Sequence, residues 1–311
     1  MFYHLLYPLH TQISVFNVFR YITFRSAYAA ATALLLTLLF GPPVIRKLRA
    51  VHIGQAIRAD GPQTHLAKAG TPTMGGLLLV GSILVSTLLW GNLANRYVQI
   101  ALLSVTWLGL LGFLDDYLHV VKGVRKGLLG RYKLAAQAVL GLAVGLILVL
   151  VPLQPEIATR TNVPFFKAFP VIDLGILYVP FVMLMLAGFS NAVNLSDGLD
   201  GLAAGMVVMA GVALAGMSYV TGHERFSHYL MIPHMVGAGE LTVFCSALVG
   251  ASLGFLWFNC HPAEVFMGDT GSLALGGALA TVAILLKREL LFVVVGGLFV
   301  VEALSVMLQV G

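Results

Sequence analysis

The stretch "YVQIALLSVTWLGLLGFLDD" (97–116) decides the fold. Eighteen residues without a charge run straight into two adjacent carboxylates, Asp115 and Asp116. A run of that length is close to the roughly 20 apolar residues that a helix needs to cross a bilayer. It is continuous and leucine-rich rather than alternating in ten-residue segments, so a helix is favoured over a barrel strand.

The rest of the chain repeats the pattern. Of its 311 residues 59% are hydrophobic and only 10% are charged, with a mean hydropathy of +0.93; soluble domains carry about 25% charged residues. Apolar windows fall at about 22–44, 73–91, 97–114, 134–152, 174–193, 202–221, 240–258, 271–286 and 290–310. They predict an all-α polytopic transmembrane bundle, nine spans in a single domain over 1–311, with no separate soluble unit. The first 20 residues are loosely apolar and end on Arg20, which suits an interfacial segment better than a cleaved leader. Cys245 and Cys260 form no CxxC and no ligand-like pairing with histidine, and are read as free thiols.

Lysine and arginine set the orientation. Arg46, Lys47, Arg49, Arg58 and Lys68 lie between the first two windows, and Lys122, Arg125, Lys126, Arg131 and Lys133 between the third and fourth. The alternate loops hold Arg96, then Arg160 and Lys167, then Arg225, then Lys287 and Arg288. The basic loops are therefore cytoplasmic and the N-terminus is outside. Counting spans from there brings three acidic motifs to the cytoplasmic face: Asp115 and Asp116; "NAVNLSDGLDGLA" (191–203), with Asp197 and Asp200; and "AEVFMGDTGS" (263–272), with Glu264 and Asp269. The outer acids, Glu156, Asp173, Glu224 and Glu240, are scattered and read as solvated charges.

Carboxylates gathered beside two basic loops at a membrane surface suit a hard cation and a polyanionic ligand. Mg²⁺ takes one or two carboxylates and completes its shell with substrate phosphates. Neighbouring helical residues point about 100° apart, so Asp115 and Asp116 should divide their roles, one at the reacting centre and the other orienting or pairing with a base. Lys68, before the Gly-Thr-Pro turn of "HLAKAGTPTMGG" (65–76), is placed as a point-charge phosphate binder. Taken singly, each acid has an ordinary reading as an interfacial charge or a helix cap; their coincidence on one face sets them apart. No HExxH, Walker, Rossmann or GxSxG pattern occurs, and no nucleic-acid partner is expected. An ion-coupled transporter is the competing class, but its acids belong at mid-membrane rather than at helix ends.

"HLAKAGTPTMGG", "GFLDDYLHV", "NAVNLSDGLDGLA" and "FNCHPAEVFMGDTGSLALGG" closely resemble, in that order, signatures of the bacterial phospho-N-acetylmuramoyl-pentapeptide transferases, polyprenyl-phosphate N-acetylhexosamine-1-phosphate transferases of the inner membrane. The resemblance implies Mg²⁺-dependent transfer of phospho-MurNAc-pentapeptide from UDP-MurNAc-pentapeptide to undecaprenyl phosphate, giving lipid I and UMP on the cytoplasmic face. It implies that Asp115 activates the lipid phosphate with Asp116 in support, and that Asp269, beside Asp115, holds the metal. A covalent aspartyl route is the other mechanism the resemblance leaves open. Lys68, Asn194, Asp197, Asp200, Asn259 and Phe266 match positions around the nucleotide, Phe266 as a stacking surface, and Lys133 matches a lysine near the phosphates. Membrane lipids and a second copy of the chain are the implied partners. A related transferase using another UDP-N-acetylhexosamine is the nearest alternative. The family has a tenth span and a histidine-bearing loop before it; this sequence stops at Gly311, so a C-terminally shortened chain, inactive or poorly folded as it stands, is expected, with the activity assigned to the full-length parent.

Overall fold

The computed structural model describes residues 1–50, 71–124, 127–165 and 171–310. It is an all-α bundle. A short helix α1 (Phe2–Leu6) and two 3₁₀ turns lead into α2 (Ile22–Ala50), followed by α3 (Gly76–Trp90), α4 (Arg96–Asp116) and α5 (Gly130–Leu150). An antiparallel pair of three-residue strands, β1 (Arg160–Asn162) and β2 (Val171–Asp173), precedes α6 (Tyr178–Ser196) and α7 (Leu202–Thr221). The short α8 (Glu224–Tyr229), then α9 (Leu241–Asn259), α10 (Gly268–Leu285), α11 (Glu289–Val295) and α12 (Gly297–Val310) complete the chain.

Seven of these helices are long and apolar enough to cross a membrane, and the chain is an integral membrane protein. The other two of the nine windows depart from simple spans. α3 has 15 residues, about 22 Å at 1.5 Å per residue, because Thr73, Met74 and Gly75 are drawn into a turn instead of helix. There Gly75 N donates to Phe266 O (2.9 Å), Gly76 N to Met267 O (2.8 Å), and Phe266 N to Pro72 O (2.8 Å). The last window is broken between α11 and α12, which meet at 74° across Gly296; paired glycines are a common site of such kinks. α2, by contrast, runs on through Pro42 and Pro43 to Ala50 and ends in Lys47 and Arg49.

α10 is the central rod. Every residue from Thr270 to Leu285 is buried, and α4, α6, α3 and α7 pack around it, while α9 joins α2 to α7. Helices in lipid associate through close packing of small residues rather than through the hydrophobic effect. The α4–α10 crossing shows why: Gly112 lies against the backbone of Asp269 and Thr270, where a Cβ has no room. That contact sets the end of α4 beside the start of α10.

One outer acid contradicts its reading as a solvated charge. Glu240 is 8% exposed and accepts two hydrogen bonds from the fully buried Arg25, Nη1 to Oε2 at 2.7 Å and Nη2 to Oε1 at 2.6 Å. A buried carboxylate needs such a partner, and this one comes from 215 residues away. Glu156, Asp173 and Glu224 are exposed as expected.

Candidate active site

The carboxylate pair sits in the last turn of α4, which continues as one π-helical turn, Tyr117–Val121; such turns are frequent at functional sites. The two acids diverge as their 100° separation requires. Asp116 faces the start of α10. Its Oδ1 accepts the backbone N–H of Asp269 (3.1 Å), and its Oδ2 accepts both the N–H (2.9 Å) and the hydroxyl (2.5 Å) of Thr270. It therefore caps α10, where the helix dipole favours an anion. Gly268 makes the approach possible. Its φ is +72°, and a Cβ there would stand 2.8 Å from Asp116 Oδ2 and 3.0 Å from Thr73 Oγ1, so only glycine fits.

Asp115 faces the other way. Its Oδ1 accepts the Leu128 N–H (2.5 Å), and its Oδ2 pairs with Lys133 Nζ at 2.6 Å. The same ammonium lies 2.5 Å from Asp269 Oδ2, while Asp269 Oδ1 accepts from Asn194 Nδ2 (2.8 Å). Asn194 Nδ2 also donates to Ser272 Oγ at 2.8 Å. Asp115, Asp116, Lys133, Asn194 and Asp269 thus line one cavity of about 280 Å³, completed by Thr73, His119 and Gly268 among others. Four helices contribute, and one ammonium stands against three carboxylates.

One turn from Lys133 and Asn194, the facing sides of α5 and α6 are locked together. Gln137 is 1% exposed and Ser190 is fully buried. Gln137 Nε2 donates to Ser190 Oγ (2.8 Å), and its Oε1 accepts from Asn191 Nδ2 (2.8 Å). Thr270, Ser272, Gln137 and Ser190 escape a sequence reading that follows charge alone; their only signal is a polar residue next to, or one turn from, a candidate site residue in an otherwise apolar helix.

The remaining candidates surround this centre. Asp197 ends α6 and accepts from the Gly268 N–H; burial, with the Asp269 and Asp116 carboxylates adding to it, pushes its own carboxyl up to about 8. Asp200 Oδ2 meets His261 Nδ1 (3.1 Å) and the Ala263 N–H (3.4 Å). Asn259 spends its amide on backbone, accepting from Gly201 N (3.1 Å) and donating to Val265 O (2.9 Å). It thereby ties the Asp200 loop to the Asp269 loop. Phe266 is half-buried beside them, its backbone paired with residues 72–75. Lys68 lies outside the described residues, as do Arg58, Arg125, Lys126 and Lys167.

Among the described residues no three His, Cys, Asp or Glu side chains form an all-protein cation cage. Asp115 and Asp269 instead each aim one oxygen at a single point, and a cationic group, the Lys133 ammonium, sits there. That donor set fits a hard divalent ion taking one or two carboxylates and sharing the rest of its shell with phosphates.

Membrane-length helices that gather carboxylates, a lysine and an asparagine around a small polar cavity at one end of the bundle define an integral-membrane enzyme. The model of glycosyl transferase family 4 matches residues 98–287, and a signature of phospho-N-acetylmuramoyl-pentapeptide-transferases matches residues 68–80. Phospho-N-acetylmuramoyl-pentapeptide-transferases from Desulforapulum autotrophicum, Citrifermentans bemidjiense and Thermodesulfovibrio yellowstonii are 53%, 54% and 52% identical over all 311 residues, which cover 86% of each relative. The chain belongs to glycosyl transferase family 4, in its phospho-N-acetylmuramoyl-pentapeptide-transferase branch. It is an enzyme, and the transporter alternative falls away.

Proposed function

We propose that the protein to which this sequence belongs transfers phospho-MurNAc-pentapeptide from UDP-MurNAc-pentapeptide to undecaprenyl phosphate, with Mg²⁺, at the cytoplasmic face of the bacterial inner membrane, giving lipid I and UMP. The observation that carries the reading is the Lys133 bridge between Asp115 and Asp269, inside a chain half-identical to transferases of that name.

Phosphoryl transfer is mostly positioning and charge neutralisation. Asp115 is the base: its Oδ2 takes the proton of the lipid phosphate. The freed oxygen attacks the donor's sugar-linked phosphorus, forming the new P–O–P bond, and the old bond breaks with its electrons leaving on UMP. Asp116, already committed to three donors on α10, holds Asp115 and Asp269 in register rather than reacting. Lys133, released from the two carboxylates as phosphates arrive, meets the charge on the dividing pyrophosphate. Asn194 orients Asp269. Mg²⁺, when held by Asp269 and Asp115 together with the phosphates, supplies further neutralisation of that charge. Lys68, Asp197, Asp200, Asn259 and Phe266 are assigned to the nucleotide by the family resemblance, and Asp197 among them accepts from the Gly268 N–H at the edge of this centre. The site lies at the helix ends, where a soluble nucleotide-sugar and a lipid phosphate can both reach it.

The test is product analysis with labelled UDP-MurNAc-pentapeptide, undecaprenyl phosphate and Mg²⁺. Stoichiometric UMP and lipid-linked sugar, not competed by UDP-N-acetylglucosamine, support the reading. Competition by that nucleotide would reassign the donor, and no UMP from folded protein would reject the reaction.

A further inference from the structure

A second polar centre lies at the other end of α10. Asp269 is in the first turn of that helix and Arg288 follows its last, so about 27 Å of helix separates them. The sequence places Lys287, Arg288 and Glu289 in a short loop, yet they are 4%, 7% and 0% exposed. Glu289 is satisfied by hydroxyls, accepting from Tyr178 Oη (2.7 Å) and Thr161 Oγ1 (2.8 Å). Lys287 is satisfied too: its Nζ donates to Ala158 O (2.6 Å) and lies 3.8 Å from the centre of the Tyr178 ring.

Arg288 is different. Among the described residues no carboxylate stands within ion-pair reach of its guanidinium, and its buried Nε has no hydrogen-bond partner. Its side chain lines a cavity of about 580 Å³ whose other walls are almost wholly apolar, including Val163 and Phe165 after β1, Val212, Gly216 and Val220 on α7, and Leu291 on α11. The adjacent Glu289 carboxylate acts on Arg288 only through space, its oxygens being taken by Tyr178 and Thr161; a buried cation with no direct ion pair is costly, and an unsatisfied buried donor is costly as well. The missing partner is an anion, and the walls require that it carry an apolar body. From Val220 to Val212 the α7 wall offers about 12 Å of apolar bed running from the helix end toward mid-membrane. Val212 and Gly216 are exposed at the protein surface, so the cavity opens to the lipid side.

We infer that this cavity is a binding site for one anionic phospholipid, its phosphate on Arg288 and an acyl chain along α7, at the end of the bundle opposite the acidic cavity. The site is independent of the transfer reaction, and Arg288 takes no part in that chemistry. Gly216 offers a place for a block: it lines the cavity and a Cβ there meets nothing within 4 Å, so Gly216→Phe places a bulky side chain on the cavity wall with no clash at its Cβ.

The experiment is native mass spectrometry of the detergent-solubilised protein, with phosphatidylglycerol, phosphatidylcholine or oleate added. Wild type should retain one phosphatidylglycerol in preference to phosphatidylcholine and to oleate. Arg288→Met and Gly216→Phe should each lower that occupancy about tenfold or more, as loss of a charge-assisted contact or of the space implies. UMP release in either variant should match wild type. Retention of phosphatidylglycerol by either variant at the wild-type level would overturn the site. Equal binding of phosphatidylcholine would overturn the anionic assignment, and preferential binding of oleate would overturn the phospholipid assignment.

Discussion

At the scale of the residue, Lys133 is the hinge of the site, because one ammonium serves two carboxylates that repel each other without it. Lys133→Met should lower UMP release by about 10²–10³-fold, the range for loss of one preorganised electrostatic group, with the protein still folded by thermal denaturation. Thr270 is a subtler case. Its hydroxyl is one of three donors that hold Asp116, so Thr270→Val should destabilise the protein by about 1.5–3 kcal/mol, the usual worth of a hydrogen bond to a charged group. Asp197 gives a pH signature. Its folded-state carboxyl titrates at about 8 against an ordinary 3.8, so the folded chain holds a proton that the unfolded chain releases. The resulting stabilisation is complete below 3.8 and is lost as the pH rises to about 8. Asp197→Asn, which cannot ionise, should flatten that decline in a series of melting curves; an unchanged slope would contradict the assignment.

At the scale of the element, the site depends on how closely α4 and α10 approach. Gly112→Ala would push a Cβ into the backbone of Asp269 and Thr270, part the two helices and separate Asp116 from the helix it caps. Overpacking of this kind costs about 1–3 kcal/mol, and a displacement near 1 Å costs about a hundredfold in rate. Gly81→Ala on α3, where a Cβ meets nothing within 4 Å, should leave both unchanged. Unfolding and turnover of the two variants side by side check the pair. Much at this scale was legible in advance. Nine apolar windows became seven membrane-length helices, one short helix and one broken helix, and Asp115, Asp116 and Asp269 came together because acids at the ends of membrane spans on one face have few places to go in so apolar a chain. The shortening of α3 was not legible, since it follows from backbone hydrogen bonds to residues almost 200 positions away. Neither was the Gln137–Ser190–Asn191 lock, whose members look like incidental polar residues until two helices face each other.

At the scale of the whole molecule, the bundle is pinned at the end opposite the site by ionic contacts that one sequence cannot reveal. Glu240 reads as a solvated outer charge and Arg25 stands within the first apolar window, and only the fold brings them together. Arg25→Met alone leaves Glu240 buried and unpaired and should cost about 3–5 kcal/mol, whereas Arg25→Met with Glu240→Met should recover most of that loss; denaturant unfolding of the single and double variants distinguishes them. At the other end three carboxylates and one lysine are held at helix ends, where in the proposed reaction phosphates complete the charge balance. The most direct measurement of that claim is UMP release from UDP-MurNAc-pentapeptide in the presence of undecaprenyl phosphate and Mg²⁺, with wild type beside Asp115→Asn and Asp269→Asn. The account predicts release by wild type and loss of at least about a hundredfold in each folded variant. Turnover in either variant at the wild-type rate would contradict it.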